Sequence, residues 1–373
     1  MNIGPLTFLA FQLLLMSKTR VENLRFILLL SALGLSVSLP LDAASRTSRC
    51  VAIVGTNDLH GAILPHTYEQ FGKEVKVGGV LIQSGYIQRL REHFGDKVLL
   101  LDGGDLFQGT LSSNFSKGAV VITAYNAMGY AAASIGNHEF DYGPKTQENP
   151  DRLGVLKERL SQAQFPFLAA NIFEKATGDL VKWPNTKPSI LLKKGGISIG
   201  IIGITTPKTP HTTRPINVST LDFSDPMPII LGESKRLREA GAQLIVLLTH
   251  MGGSCKSTLD ANDLSSCHSG GELFPVLQQL PKATVDIAVG GHTHGFISHW
   301  VNGTATIESG ARGRFLGLVE ACVDDTGKFD RKATTLHQPI ELCWDVWADG
   351  GCKRQLKPSA LKPATFLGKE VKP

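Results

Sequence analysis

Residues 51–61, VAIVGTNDLHG, join a short apolar run to a polar turn that contains an acid and a histidine. The run Val51–Thr56 predicts a buried β-strand, because it is short, rich in branched side chains and followed by turn-forming residues. Asp58 and His60 come next, and Gly61 permits the backbone angles that a sharp bend requires. The stretch therefore predicts a strand that presents a carboxylate and an imidazole at one edge of a sheet.

Four further apolar runs, each interpreted as a strand, end in residues of the same kinds. They are Val98–Leu101 before Gly103-Gly104-Asp105, Ala131–Ile135 before Gly136-Asn137-His138, Leu244–Leu248 before Thr249-His250, and Ile287–Val289 before Gly291-His292-Thr293-His294. In open α/β sheets, ligands bind beyond the carboxyl ends of the strands. We therefore expect the acid, amide and imidazole side chains of these loops to meet at one site.

The chemistry of these side chains indicates a metal centre. Carboxylate, imidazole and amide donors together suit borderline-to-hard divalent ions such as Mn, Zn, Co, Fe or Mg. Taken singly, each motif has an ordinary explanation, since an acid after a strand is often a turn or cap residue. Their joint occurrence favours metal binding over that explanation. The remaining histidines lack this setting and are expected on the surface or in the core: His66, His93, His211, His268, His299 and His337.

Helical patterns alternate with the early strands, which favours an α/β fold. They cover Val80–Phe94, Ala119–Met128, Arg152–Ala163, Pro228–Ala240 and Glu272–Leu280, and additional strands are expected at Phe167–Ala170 and Ile197–Ile204. In the first helix, Leu81, Ile87 and Leu90 mark the apolar side. From residue 297 onward the pattern predicts strands alone: Ile297–Val301, Thr304–Ser309, Leu316–Val323 and Phe329–His337, with a hairpin turn at Asn302-Gly303. We expect two packed sheets flanked by helices, a four-layer αββα sandwich.

The two ends of the chain differ from the body in composition. Residues 1–45 are interpreted as a secretory signal peptide, because a basic stretch, the apolar run Phe26–Leu39 and the small residues Ala43-Ala44-Ser45 follow one another. A retained membrane anchor is the alternative, but the apolar run is short for one. We expect cleavage after Ser45, no stable membrane span afterwards, and a periplasmic or secreted protein. The catalytic domain then covers 46–342, and 343–373 is a basic, Pro-containing tail.

The charge distribution argues against a nucleic-acid-binding protein. The chain carries a net charge of +5, of which residues 1–45 contribute +1 and residues 353–373 contribute +5, so the body is left with −1. A nearly neutral body lacks the basic footprint that duplex nucleic acid requires. We therefore expect no duplex nucleic acid among its partners.

The six cysteines are an even count, which fits an oxidising compartment. We expect Cys255 with Cys267 and Cys343 with Cys352 to close short loops, the second within the tail. Cys50 and Cys322 then form the remaining pair. Other pairings are also compatible with the sequence.

Taken in order, the polar motifs resemble the motif set of calcineurin-like metallophosphoesterases. The longer stretches Asn57–Gly61, Gly104–Thr110 and Gly136–Gly143 are similar to the catalytic domain of 5'-nucleotidases. The resemblance covers about residues 51–337. It implies that two divalent ions are bound, one by Asp58, His60 and His294, the other by Asn137, His250 and His292, with Asp105 bridging both.

The resemblance also implies hydrolysis of phosphate esters, nucleotides in particular, by attack on phosphorus of a hydroxide held between the two ions. Both 5'-nucleotidases and 2',3'-cyclic nucleotide phosphodiesterases would fit this activity. His138 would stabilise the transferring group or the leaving oxygen, and Asp141 would orient His138. A helix cap is the alternative role for Asp141.

One departure from the family bears on specificity. Full-length 5'-nucleotidases of this kind carry a C-terminal domain that binds the nucleoside, and we expect this nucleotide-binding domain to be absent here. Two other functions stay open for the same motifs. One is a related thiosulfohydrolase, and the other is a non-catalytic paralogue that binds a metal or a partner.

Overall fold

The computed structural model describes residues 48–70, 73–148, 150–268, 270–346, 362–363, 365–367 and 369–371. The predicted signal peptide and Cys352 lie outside these residues, as does most of the predicted tail. Among the helices of the described residues, none combines the length and the hydropathy that a membrane span requires.

The strands are numbered in chain order. They are β1 (Arg49–Thr56), β2 (His66–Gln70), β3 (Lys73–Val77), β4 (Val98–Asp102), β5 (Ala132–Ser134), β6 (Phe167–Leu168), β7 (Ile172–Glu174), β8 (Thr186–Lys187), β9 (Ser189–Lys194), β10 (Ile197–Thr205), β11 (Leu221–Phe223), β12 (Leu244–His250), β13 (Ser254–Cys255), β14 (Cys267–His268), β15 (Ile287–Val289), β16 (Phe296–Val301), β17 (Thr304–Ser309), β18 (Phe315–Val323), β19 (Thr335–Leu336), β20 (Ile340–Glu341), β21 (Asp345–Val346), β22 (Lys362–Pro363), β23 (Thr365–Phe366) and β24 (Lys369–Glu370).

The helices lie between the strands largely where the sequence predicts them. They are α1 (Val80–Phe94), α2 (Leu111–Phe115), α3 (Ala119–Met128), α4 (Gly154–Gln162), α5 (Thr209–Thr212), α6 (Pro226–Glu239) and α7 (Leu273–Gln279). The bounds of α1 are as predicted, but its buried face differs, because Leu81 is 54% exposed while Ile82, Tyr86 and Leu90 are buried.

Two large sheets dominate the fold. The first has the order β19-β18-β1-β4-β5-β6-β8, with β20 also paired to β18, and the second has the order β16-β17-β15-β12-β10-β9. Within the first sheet, β1, β4 and β5 run parallel, and within the second, β10, β12, β15 and β17 run parallel. Parallel strands bring their carboxyl ends to one edge of each sheet, which is where the predicted ligands follow.

The side chains of β1 show how the layers pack. Ala52 and Val54 lie in the core that the first sheet forms with α1, α3 and α4, whereas Val51 and Ile53 lie in the core between the two sheets. A third core joins the second sheet to α6 and α7. Because both faces of each sheet are covered, the central strands are apolar throughout rather than alternating. The predicted four-layer αββα sandwich is therefore confirmed.

The prediction of a long strand over Phe329–His337 is wrong. Of these residues only Thr335–Leu336 form a strand, β19. Asp330 interrupts the run, because its Oδ1 accepts hydrogen bonds from the backbone N–H groups of Lys332 and Ala333. An acid that binds the N–H groups two and three residues ahead forms a turn instead of a strand. The hairpin at Asn302-Gly303 is present, with β16 and β17 paired on either side of it.

Two disulfides form as the sequence analysis expects. Cys50 of β1 is bonded to Cys322, its register partner on β18. Cys255 and Cys267 are bonded across the β13–β14 hairpin. The predicted pairing of Cys343 with Cys352 stays a prediction, because Cys352 lies outside the described residues.

Candidate metal centre

The structure brings all seven predicted ligands together in the loops that follow the carboxyl ends of five strands. Asp58 and His60 follow β1, Asp105 follows β4, Asn137 follows β5, His250 ends β12, and His292 and His294 follow β15. Six of these residues are buried or half-buried, and the His294 side chain is 43% exposed. The cluster is therefore deep at one side and open to solvent at the other.

One group of ligands surrounds Asp58. The Oδ1 atom of Asp58 lies 3.4 Å from His294 Nε2 and 3.8 Å from His60 Nε2. The two imidazole Nε2 atoms are themselves 2.9 Å apart. Three donor atoms from two different sheets thus converge on a single point.

A second group surrounds Asp105. Its Oδ2 atom lies 3.0 Å from His250 Nε2 and 3.9 Å from His60 Nε2. The Oδ1 atom of Asn137 is 3.1 Å from the same His250 nitrogen, and His292 has a ring nitrogen within 4.8 Å of the ligand atoms of Asp105 and His250. Asp105 therefore lies between the two groups, next to ligands of both.

The cluster fits a cation better than it fits a self-contained ion-pair network. Asp58 is 0% exposed and Asp105 is 1% exposed. Within the described residues, their ion pairs join them to histidines and to no lysine or arginine. A buried carboxylate without a permanently charged partner is costly, and a bound metal ion would remove that cost.

The backbone is strained at most of the residues that form the cluster. Five of the seven residues adopt the left-handed conformation, with φ between 50° and 79°: Asp58, His60, Asp105, His292 and His294. Non-glycine residues with such angles cost about 1–3 kcal/mol each and cluster at functional sites. The conformation turns successive side chains of each loop toward the same centre.

Hydrogen bonds on the far side of the ligands fix their orientation. The Nδ1 atoms of His60 and His250 lie 2.8 Å from the backbone carbonyl oxygens of Gln108 and Gly103. Donation from Nδ1 leaves Nε2 as the acceptor nitrogen that faces the cluster. Similarly, Asn137 donates from Nδ2 to the Thr212 carbonyl oxygen at 2.9 Å, which turns its Oδ1 atom inward.

Sequence reasoning missed the buried carboxylate of Glu139. Its two oxygens accept hydrogen bonds from the backbone N–H groups of Asp105, Leu106 and Gly136 at 2.7–2.8 Å. Burial raises the pKa of Glu139 and the charge of Asp105 raises it further, whereas the N–H donors favour the carboxylate. Glu139 lies inside the Gly136–Asp141 motif, so its position was visible in the sequence, but its role was not.

Glu308 of β17 accepts hydrogen bonds from loops of the second sheet, as Glu139 does from loops of the first. It accepts hydrogen bonds from the N–H groups of Gly253 and Gly295 at 3.0 and 3.1 Å and from the Thr293 hydroxyl at 2.7 Å. Burial raises the pKa of Glu308 to about 8, and the negative charge of Asp58 contributes. No motif in the sequence marks this residue.

The predicted pair of His138 and Asp141 lies at the rim of the cluster. A turn of 3₁₀-helix at His138–Phe140 brings His138 Nδ1 to 2.5 Å from Asp141 Oδ2. One ring nitrogen of His138 lies within 4.8 Å of ligand atoms of His60 and Asp105. Burial lowers the pKa of His138, but the hydrogen bond to Asp141 and the charge of Asp105 outweigh it, so the pKa is raised.

Two packed sheets with acid, amide and imidazole ligands at their carboxyl edges define the catalytic-domain architecture of a metallophosphoesterase. Residues 51–296 match the family model described as calcineurin-like phosphoesterase. The chain belongs to this family, as the sequence motifs predict.

Individual relatives agree with this assignment. The chain is 32% identical to a 5'-nucleotidase of Bos taurus over 86% of this chain and 54% of the relative, and 28% identical to a snake venom 5'-nucleotidase of Crotalus adamanteus over 86% and 53%. A crystal structure of a 5'-nucleotidase precursor from Thermus thermophilus superposes with a TM-score of 0.62 at 26% identity, covering 79% of this chain and 55% of that one. The chain thus spans about half the length of the relatives that it matches.

Proposed function

We propose that this chain is an exported, metal-dependent hydrolase of phosphate esters whose substrates are nucleotides. The observation that carries the proposal is the convergence of seven metal-type ligands, from five strand ends, beside a histidine that is positioned by an acid. Membership of the calcineurin-like phosphoesterase family supports the reaction class.

Two divalent ions are proposed to bind in the groups described above. Asp58, His60 and His294 would hold one, Asn137, His250 and His292 would hold the other, and Asp105 would contact both. Bound there, the ions would supply positive charge to the phosphoryl oxygens and to the attacking oxygen. The Oδ2 atom of Asp105 faces residues of both groups, which explains why a charged acid stands at this shared position, whereas a neutral amide suffices at Asn137.

His138 is the proposed catalytic residue that contacts the substrate. Its Nδ1 atom is engaged by Asp141, and its backbone N–H donates to Asp105 Oδ1 at 2.8 Å. Both contacts fix the ring, and Nε2 is left to stabilise the phosphoryl group or the leaving oxygen. The side chain is 30% exposed, so a substrate can reach it from solvent.

The relatives support nucleotides as the substrate class, because the relatives named above are 5'-nucleotidases. Both a 5'-nucleotidase and a 2',3'-cyclic nucleotide phosphodiesterase activity fit the site, since each requires hydrolysis of a phosphate ester bond. The disulfides Cys50–Cys322 and Cys255–Cys267 support export to an oxidising compartment.

The test is metal-dependent hydrolysis by the full chain. Purified protein is stripped with a chelator, Mn, Co, Zn or Mg is added back, and phosphate release is measured from AMP, 2',3'-cyclic AMP and p-nitrophenyl phosphate. We expect turnover that requires the added metal. Asp105→Asn should abolish turnover and lower the bound metal measured by mass spectrometry, because the position shared by both ligand groups loses its charge.

Asp179→Asn is a matched control, since Asp179 is an exposed acid far along the chain from every ligand. It should retain the activity and the metal content of the wild type. Full activity in Asp105→Asn, or metal uptake that Asp105→Asn does not change, would contradict the proposed centre.

A further inference from the structure

We propose that Thr213 is a positioning residue that holds Asp141, and through it His138, in the orientation that hydrolysis requires. The inference rests on the proposed function, since it assigns a role within that reaction. Thr213 lies in the connection that follows β10 of the second sheet, 72 positions beyond Asp141 in the chain.

The hydrogen bonds around Asp141 form a short relay. Thr213 donates from its hydroxyl to Asp141 Oδ1 at 2.7 Å, while Asp141 Oδ2 accepts from His138 Nδ1. Because each carboxylate oxygen has its own donor, the plane of the carboxylate is fixed. A fixed carboxylate in turn fixes the imidazole ring, as outer hydrogen-bond partners do for ligand histidines.

The local backbone explains why the Thr213 hydroxyl points toward Asp141. Thr213 ends the single turn of α5 and has an extended conformation, with φ −130° and ψ −170°. The backbone N–H of Thr213 donates to the Thr209 carbonyl oxygen at 3.2 Å, which anchors the backbone of the residue. The side chain therefore leaves the helical turn and faces the loop after β5.

Two neighbours of Thr213 in the segment 212–217 also form hydrogen bonds with this loop. Besides Thr213, the Thr212 carbonyl oxygen accepts from Asn137, and Asn217 donates to the Phe140 carbonyl oxygen at 2.7 Å. A connection that follows β10 of the second sheet thus orients a proposed ligand and the His138–Asp141 pair, both of which follow β5 of the first sheet. The packing of the two sheets is in this way linked to the geometry of the proposed catalytic residue.

Loss of the Thr213 hydroxyl would leave Asp141 Oδ1 to solvent. A surface pocket of about 500 Å³ has Asp141 and Thr213 in its wall, together with Tyr142 and Arg214, and this volume admits water. Water would then solvate Oδ1 without fixing the carboxylate plane. We expect the orientation of the His138 ring to be less fixed, while the proposed metal ligands keep their positions.

The deciding measurement is a loss of kcat that leaves KM, metal content and stability unchanged. Thr213→Val keeps the shape of the side chain and removes the hydroxyl. We expect kcat for AMP to fall about 10-fold, the lower end of the range for outer hydrogen-bond partners, with KM changed less than 2-fold (about the scatter of such measurements). A smaller loss for p-nitrophenyl phosphate, whose nitrophenolate needs little stabilisation, would assign His138 to the leaving oxygen, and an equal loss would assign it to the phosphoryl group.

Thr213→Ser restores the hydroxyl and should recover most of the AMP activity. Thr220→Val is the matched control, since Thr220 is an exposed threonine close to Thr213 in the chain. This variant should behave like the wild type. In the Asp141→Asn background, Thr213→Val should have no further effect, because both changes act on the same relay.

Two results would overturn the inference: wild-type kcat in Thr213→Val, or a loss explained by lower melting temperature or metal content. Absence of hydrolysis in the metal-loaded wild type would instead contradict the proposed function. The two failures are therefore distinguished by the wild-type assay, which is made first.

Discussion

The two sheets contribute to the centre in different ways. Loops of the first sheet supply both carboxylates, Asp58 and Asp105, whereas the end of β12 and the loop after β15 of the second sheet supply imidazoles alone. Neither sheet by itself carries the complete ligand set. The comparison indicates that a metal ion would join the sheets, since its ligands are divided between them.

A buried glutamate supports the loops of each sheet, but the two supports differ. Glu139 accepts from backbone N–H groups alone, and these belong to the two loops after β4 and β5. Glu308 accepts from two N–H groups and from the Thr293 hydroxyl, which can turn to another acceptor. The left-handed loops leave the sheet ladder, so their N–H groups need acceptors from elsewhere. The first sheet depends on its glutamate more heavily.

Removal of metal should have the largest effect if ions join the sheets. A ligand present at about 1,000 times its Kd stabilises the folded state by about 4 kcal/mol, which corresponds to a fall in Tm on the order of 10 °C on stripping. Calorimetry of the full chain with and without a chelator measures this. An unchanged Tm would show that the sheets are held together without ions.

Glu139→Gln should have the next largest effect. The amide places an NH₂ group against backbone N–H donors that the carboxylate now accepts, at a site that is 1% exposed. Unpaired buried donors cost about 1–3 kcal/mol each, so we expect a loss of about 2–4 kcal/mol in the free energy of unfolding. Urea denaturation of the metal-free protein measures it, with the exposed Glu239→Gln of α6 as the control.

Glu308→Gln should cost less, about 1–2 kcal/mol, because its amide can face Gly253 alone while its remaining oxygen keeps the contacts to Thr293 and Gly295. The same denaturation experiment ranks the two variants. A Glu308 variant that is less stable than the Glu139 variant would reverse the proposed difference between the sheets.

The fold and the convergence of the seven side chains could be predicted from the sequence because each depends on local pattern. Apolar runs that end in Asp-x-His or His-x-His identify a strand and the residues beyond it, and parallel strands then place those residues together. The family assignment follows from the same motifs.

What the sequence did not reveal depends on contacts between distant segments. Glu308 alternates with apolar neighbours in Thr304–Ser309, a pattern typical of a strand with one solvent-exposed face, but the strand is buried on both sides. Thr213 has no motif of its own, and the role proposed for it rests on a hydrogen bond to Asp141, which is distant in the sequence. In α1, helical periodicity alone did not separate exposed Leu81 from buried Ile82, since both are apolar.

The bond between Cys50 and Cys322 has a consequence for damaged molecules. It closes a covalent ring of the chain, with a sequence separation of 272, and every residue assigned to the centre, from Asp58 to His294, lies within that ring. A protease that cut one exposed loop inside the ring would open it without releasing a fragment. The nicked molecule would keep both sets of ligands on one covalent unit until a reductant reached the sulfur atoms.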